Sequence, residues 1–137
     1  YGSQLKEINK IIKKNNISKN VKILTNIKNP FPYYKIADTF VLSSKYEGFG
    51  NVLVEAAMFK NNIISSNCNS GPKEILICGN TKNIFSVGNH QELSNKILYF
   101  YFNKKKFNKN NIKIKENLNN FNHKKIINKF EQLFLNI

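Results

Sequence analysis

Apolar residues recur at helical spacing near the start of the chain. Four of them share one face of a segment whose other face carries lysines: Leu5, Ile8, Ile11 and Ile12. This pattern predicts a helix from Ser3 to about Asn16, with Ser3 as its N-cap.

The rest of the chain alternates short apolar runs with helical patterns. The apolar runs predict strands at 21–25, 39–43, 62–66 and 84–87. Helices are predicted at 33–37, 51–59, 73–77, 91–102, with Asn89 or His90 near the cap, and roughly 124–135. Strands that alternate with helices are typical of an α/β fold with a parallel sheet. Run 39–43 has almost no polar alternation, so we expect both of its faces to be buried.

Two glycine-bearing segments follow predicted strands directly. Segment 44–51 comes after strand 39–43, and segment 67–73 comes after strand 62–66. Ligands of open α/β sheets bind at the carboxyl ends of the strands. We therefore expect both segments to face one crevice.

Composition limits the function classes. The 137 residues suffice for one domain with a modest core, and 41% of them are hydrophobic. The longest apolar run, residues 97–102, is far shorter than the roughly 20 residues that span a bilayer. Cys68 and Cys78 are too few for a disulfide framework and are expected to be reduced thiols.

The net charge of +14 is typical of proteins that bind nucleic acid, but the type of basic residue argues against that function. All 22 basic residues are lysine, whereas readers of nucleic acid favour arginine for bidentate contacts. Residues 103–137 carry nine lysines against two glutamates and so hold half of the net charge. A solvated polar face explains this tail, and contact with an anionic membrane surface is the alternative.

The strongest chemical signal is a pair of carboxylates, Glu47 and Glu55, separated by seven residues. Between them lie a glycine-flanked turn and the start of an apolar helix. A helix N-terminus offers unpaired backbone N–H groups and a positive dipole end, which suit a diphosphate. Carboxylates beside it can accept hydrogen bonds from sugar hydroxyls, so the pattern suits a nucleotide-sugar. In the simpler alternatives, Glu47 is an exposed loop acid and Glu55 only offsets the helix dipole.

Three stretches together resemble one family of enzymes. The segment from Ala37 to Ala57 is similar to the donor-site signature of family 4 retaining glycosyltransferases, which have the GT-B fold. Segments Ser70–Leu76 and Phe85–Gly88 resemble the next loop and strand of such enzymes. The likeness extends from Tyr1 to about Phe102.

The resemblance implies a role for each site residue. Glu47 would hold donor-sugar hydroxyls near the anomeric carbon and is the candidate catalytic residue. Glu55 would accept hydrogen bonds from the ribose. Backbone amides that approach the sugar and the diphosphate would come from Gly48, Phe49, Gly50, Asn51 and Val52. Asn26 and Ile27 would lie near the base. The family is not thought to use a protein nucleophile.

The resemblance also bears on cofactors and on missing parts. Asp38 is the single aspartate, so the Asp-x-Asp pair of metal-dependent glycosyltransferases cannot form, and no metal is expected. The resemblance implies a partial nucleotide-sugar-binding Rossmann-like domain at 1–102 that lacks its first two strands. A lysine-rich helical tail would follow at 103–137. We expect a gap in the sheet, or pairing of 21–25 with 39–43, and sheet edges prone to aggregation.

The expected activity is hexosyl transfer. A hexose or N-acetylhexosamine would pass from a nucleotide-sugar, a UDP-sugar by family frequency, to a polysaccharide, lipopolysaccharide or lipid-linked acceptor. The missing N-terminal domain would be a further partner, and the place would be the cytoplasm or the inner face of the plasma membrane. Two alternatives stay open: a non-catalytic nucleotide-binding remnant and a basic protein of the membrane surface.

Overall fold

The computed structural model describes residues 4–59, 61–69, 71–76, 81–103 and 132. The chain divides into two compact units, Tyr1–Pro30 and Phe31–Ile137, and each is described by itself. Apart from residue 132, the predicted tail helix at 124–135 lies outside the described residues. Cys78 and almost all of the predicted 103–137 tail lie outside them as well. The predicted boundary at residue 102 stays a prediction.

The first unit is built on α1, which runs Leu5–Lys14. Gln4, not Ser3, occupies its N-cap position. Lys13 and Lys14 lie in the last turn of the helix, where the negative end of the helix dipole stabilises positive charge. The helix predicted from apolar spacing is therefore confirmed, with shorter ends.

The predicted strand at 21–25 is wrong. Residues 21–25 take no strand conformation, because a strand exists through ladder hydrogen bonds to a neighbour and no such neighbour pairs with this segment in the described chain. Val21 and Ile23 instead line, with Ile12 of α1, an open groove of about 300 Å³ within the first unit. Pairing of 21–25 with 39–43 is accordingly wrong as well.

The second unit alternates helices and strands, which confirms the predicted α/β fold. In chain order its elements are α2 (Phe31–Ile36), β1 (Thr39–Leu42), α3 (Asn51–Met58), β2 (Asn62–Ser66), α4 (Pro72–Leu76), a 3-10 turn (Thr81–Asn83), β3 (Ile84–Phe85) and α5 (His90–Phe102). The last strand is shorter than the predicted 84–87.

The three strands form one parallel sheet in the order β1-β2-β3. Strand β2 is central and buried from Ile63 to Ser66. The expectation that 39–43 is buried on both faces is wrong, because Thr39, Phe40 and Val41 are only half-buried. Strand β1 lies at the edge of the described sheet and has a strand neighbour on one side only, which leaves its other side less covered.

Helices cover both faces of the sheet. On one face Leu53 and Ala56 of α3 pack with Ile63 of β2 and Ile75 of α4. On the other, Ile64 of β2 packs with Phe85 and with Phe100 of α5. Ile63 and Ile64 serve opposite faces because successive strand residues alternate. The result is a three-layer, Rossmann-like arrangement.

Helix α5 begins with a side-chain cap. The Asn89 side chain accepts a hydrogen bond from the Glu92 backbone N–H (2.9 Å), which confirms the predicted cap. The Ser86 backbone N–H in turn donates to the Glu92 carboxylate (2.8 Å) and holds the pKa of that carboxyl below its usual range. The turn after β3 and the start of α5 are thus tied together.

Two further observations concern residue chemistry. Cys68 is buried and carries a free thiol, as expected of a reduced cysteine. Throughout the described part of the chain, every helix is too short or too polar to cross a membrane.

Candidate functional site

The loops after β1 and β2 pack against each other at the carboxyl end of the sheet. Gly71 sits so close to the first loop that an added Cβ would collide with the Phe49 carbonyl and lie 2.7 Å from the Gly48 carbonyl oxygen. Only a glycine allows this approach. The two glycine-bearing segments therefore meet at one edge of the sheet. That they face one crevice stays a prediction.

Helix α3 begins at this edge. Gly50 precedes it with φ 82°, a left-handed conformation that suits glycine and turns the chain into the helix. No side chain caps the helix, and the Leu53 amide turns back to the Gly50 carbonyl (2.8 Å). The amides of Asn51 and Val52 belong to the first turn of the helix, where backbone N–H groups have no acceptor within the helix.

The first carboxylate is held by one serine, whose backbone is fixed by a second serine. The Ser44 hydroxyl donates to Glu47 Oε1 at 2.6 Å. The Ser44 backbone is itself fixed, because the buried Ser66 hydroxyl at the end of β2 donates to the Ser44 carbonyl at 2.6 Å. Glu47, which is half-buried, is thus tied through Ser44 to the central strand.

The second carboxylate is held by a tyrosine. Glu55 lies half-buried on α3, one turn from Asn51, and the Tyr34 hydroxyl donates to its Oε2 at 3.1 Å. Burial, together with the hydrogen bond to Glu55 and its charge, raises the pKa of Tyr34 to about 12. The Tyr34 side chain therefore stays protonated, and remains a donor, at neutral pH.

Sequence reasoning missed these three hydroxyl partners. A carboxylate in an apolar helix needs a partner, but no local pattern identifies Tyr34, which is only 7% exposed, as that partner. Tyr34 lies 21 residues from Glu55, and Ser66 lies 22 residues from Ser44. Only the spacing of Ser44 and Glu47, three residues apart in one loop, carried a signal in the sequence.

The remaining predicted residues fall in two places. Gly48, Phe49 and Asn51 are exposed, so the start of α3 is open to solvent, whereas Gly50 is buried and Val52 is half-buried. Asn26 and Ile27 belong to the first compact unit, and Asn26 has a left-handed φ of 54°. Their role near the base stays a prediction.

Within the described ranges, no three His, Cys, Asp or Glu residues gather as ligands for a metal ion.

Comparison with known proteins identifies the family. The model of glycosyl transferases group 1 matches residues 1–120. The chain belongs to this family. The extent of the match goes beyond the predicted limit near Phe102, and the resemblance to glycosyltransferases is confirmed at this level.

Three glycosyltransferases show the similarity directly. An uncharacterized glycosyltransferase of Methanocaldococcus jannaschii, MJ1059, is 39% identical over 75 residues, which are 55% of this chain and 18% of the relative. The amylovoran biosynthesis glycosyltransferase AmsD of Erwinia amylovora is 31% identical over 75 residues, 55% of this chain and 21% of the relative. The capsular polysaccharide biosynthesis glycosyltransferase CapM of Staphylococcus aureus is 30% identical over 78 residues, 57% of this chain and 20% of the relative. The aligned part of this chain thus spans about a fifth of each relative.

Proposed function

We propose that this chain forms the donor-binding part of a retaining, metal-independent glycosyltransferase. The observation that carries the proposal is the pair Glu47 and Glu55 beside an uncapped helix N-terminus at the carboxyl end of a parallel sheet. Anion and hydroxyl recognition meet there, and a nucleoside diphosphate sugar offers both chemistries.

The diphosphate is assigned to the start of α3. The amides of Asn51 and Val52 lack acceptors in the helix, and the helix dipole adds positive potential at that end. These groups stabilise the charge that develops on the leaving diphosphate. The single aspartate, Asp38, supports neutralisation by amides and basic side chains rather than by a metal held on an Asp-x-Asp pair.

The two carboxylates take different roles in the proposal. Glu47 follows β1 and binds donor-sugar hydroxyls near the anomeric carbon, so it is the residue closest to the chemistry. Glu55 accepts hydrogen bonds from the ribose. Gly48, Phe49 and Gly50 bring backbone close to the sugar, while Asn26 and Ile27 are proposed to lie near the base.

The sugar and acceptor are proposed at the level of chemical class. A hexose or N-acetylhexosamine passes from a UDP-sugar to a cell-surface polysaccharide, lipopolysaccharide or lipid-linked glycan. One relative is named for capsular polysaccharide biosynthesis and another for amylovoran biosynthesis, which supports this class. A further, N-terminal domain binds the acceptor, and the reaction takes place in the cytoplasm or at the inner face of the plasma membrane.

The test is sugar turnover in the complete enzyme that contains this chain. We expect Glu47→Ala to lower kcat by roughly 10²-fold, a loss comparable to removing one transition-state hydrogen-bonding group. Glu55→Gln should weaken donor binding roughly tenfold, since a hydrogen bond to a charged group is worth about 1.5–3 kcal/mol. Glu7→Gln, an exposed acid on α1, is the control. Undiminished donor turnover in both site variants ends the proposal.

Two other functions give different outcomes. A non-catalytic nucleotide-binding remnant binds the nucleotide but transfers no sugar, even in the complete protein. A basic membrane-surface protein binds anionic vesicles through its lysine-rich residues 103–137 and loses that binding when those lysines are neutralised.

A further inference from the structure

Tyr34 reaches from α2 to the carboxylate of Glu55 on α3. Its hydroxyl lies 3.1 Å from Glu55 Oε2. The ring is fixed by neighbours: it stacks on Phe59 with a centroid separation of 5.9 Å and meets Phe40 edge-on at 5.5 Å. The hydroxyl therefore has one position from which to donate.

The helix that carries Tyr34 is anchored from behind. The buried Asn61 side chain donates to the Tyr34 carbonyl at 2.8 Å and also to the Ala37 carbonyl. These bonds satisfy carbonyls at the end of α2, where a helix leaves them unpaired. Asn61 precedes β2, so the position of Tyr34 is tied to the central strand of the sheet.

The hydrogen bond from Tyr34 engages only one of the two carboxylate oxygens of Glu55. A phenol can donate one hydrogen bond, and Tyr34 donates it to Oε2. Glu55 Oε1 has no hydrogen-bond partner among the described residues. A glutamate held by one oxygen has lost much of its rotamer freedom before a ligand arrives, so less is lost when the ligand binds.

We propose that Tyr34 is a positioning residue, whose hydroxyl holds Glu55 so that Oε1 is presented to a ribose hydroxyl and the site selects ribonucleotides over deoxyribonucleotides. This inference rests on the proposed function, in which Glu55 binds the ribose. It adds to that function a second residue and a selectivity that can be measured apart from sugar transfer.

A purely structural role for Tyr34 has a different signature. If the bond only satisfies a buried phenol, its loss lowers stability and leaves the folded site as selective as before. If the bond positions Glu55, its loss removes the advantage of the ribose hydroxyl and leaves binding of a deoxy analogue nearly unchanged. The ratio of the two affinities therefore separates the roles.

The experiment is calorimetric titration of the complete protein with UDP, 2′-deoxy-UDP and 3′-deoxy-UDP, and with the GDP and ADP series if UDP does not bind. We expect wild type to favour the ribonucleotide over at least one deoxy analogue. Tyr34→Phe keeps the ring packing and should weaken binding of the ribonucleotide about tenfold, with the deoxy analogue changed less than twofold. Tyr33→Phe removes an exposed hydroxyl from the same helix and should match wild type.

Glu55→Gln and the double variant with Tyr34→Phe complete a cycle. If Tyr34 acts through Glu55, the double variant has the same ratio as Glu55→Gln alone. A Tyr34→Phe ratio equal to that of wild type, alongside a collapsed ratio in Glu55→Gln, overturns the inference and leaves the proposed function intact. An unchanged ratio in Glu55→Gln, or no nucleotide binding by wild type, overturns the proposed ribose contact itself. Thermal melting of each variant confines the comparison to folded protein.

Discussion

Each glutamate of the candidate site is held by a hydroxyl from a neighbouring element. Ser44 and, behind it, Ser66 orient Glu47, whereas Tyr34 orients Glu55. Side chains that bind a ligand well are those whose rotamers are already restricted by packing and hydrogen bonds. We therefore expect each carboxylate to act together with its hydroxyl donor.

Removal of the Ser44 hydroxyl should affect turnover more than folding. Without it Glu47 loses its 2.6 Å hydrogen bond to Ser44 and is positioned less precisely, so we expect Ser44→Ala to lower kcat of the complete enzyme about tenfold. Ser44→Thr keeps a hydroxyl and should restore most of the rate. Ser43→Ala removes the exposed neighbouring serine as the control. Equal kcat values for the two alanine variants would contradict the role given to Ser44.

The loops of the candidate site can approach each other closely because glycines, which have no side chain, stand at key positions. The loop after β2 contacts the loop after β1 at Gly71. Gly50 then turns the loop after β1 into α3. Both glycines serve the geometry of the backbone. The start of α3 is set at the carboxyl edge of the sheet by this contact as well as by the apolar face of the helix.

Gly71→Ala tests the contact between the loops. The added methyl group collides with the Phe49 carbonyl, which is backbone and cannot move aside as a side chain can. We expect the free energy of unfolding to fall by about 1–3 kcal/mol, the usual cost of overpacking. Urea denaturation provides the measurement. Gly48→Ala is the control, because nothing lies within 4 Å of its added Cβ, and its stability should stay within about 0.5 kcal/mol of wild type. Equal stability of the two variants would contradict the close contact inferred at Gly71.

On the scale of the whole molecule, the second unit is a three-layer sandwich with two small cores. Tyr34 belongs to the first of these cores and also contacts the site through Glu55. Its protonation state therefore links the site to global stability.

Alkaline pH should destabilise the fold through Tyr34. Its pKa is raised from 10.0 to about 12 in the folded protein, so the unfolded chain releases this proton first. The contribution is complete below about pH 10 and is lost as pH rises through 12. In urea unfolding between pH 8 and 12, the difference in unfolding free energy between wild type and Tyr34→Phe should decline above pH 10. Curves that stay parallel up to pH 12 would contradict this assignment.

The sequence alone determined the local elements and the order of the site. Helical spacing predicted α1, a carboxylate pair around glycines predicted the loop and α3, and strand–helix alternation predicted the parallel sheet. These signals are periodic or local, so they survive without knowledge of the partners. The resemblance of the Glu47–Glu55 segment to glycosyltransferases is also a local signal, and the family match agrees with it.

The tertiary structure alone decided which segments pair and what holds the carboxylates. Residues 21–25 look like a strand in sequence and form none, because a strand needs a hydrogen-bonded neighbour. The Tyr34–Glu55 and Ser66–Ser44 bonds join residues more than twenty positions apart, a distance at which one sequence carries no pairing signal. The chain thus encodes its carboxylates locally, whereas the folded sheet brings together the hydroxyls that orient them.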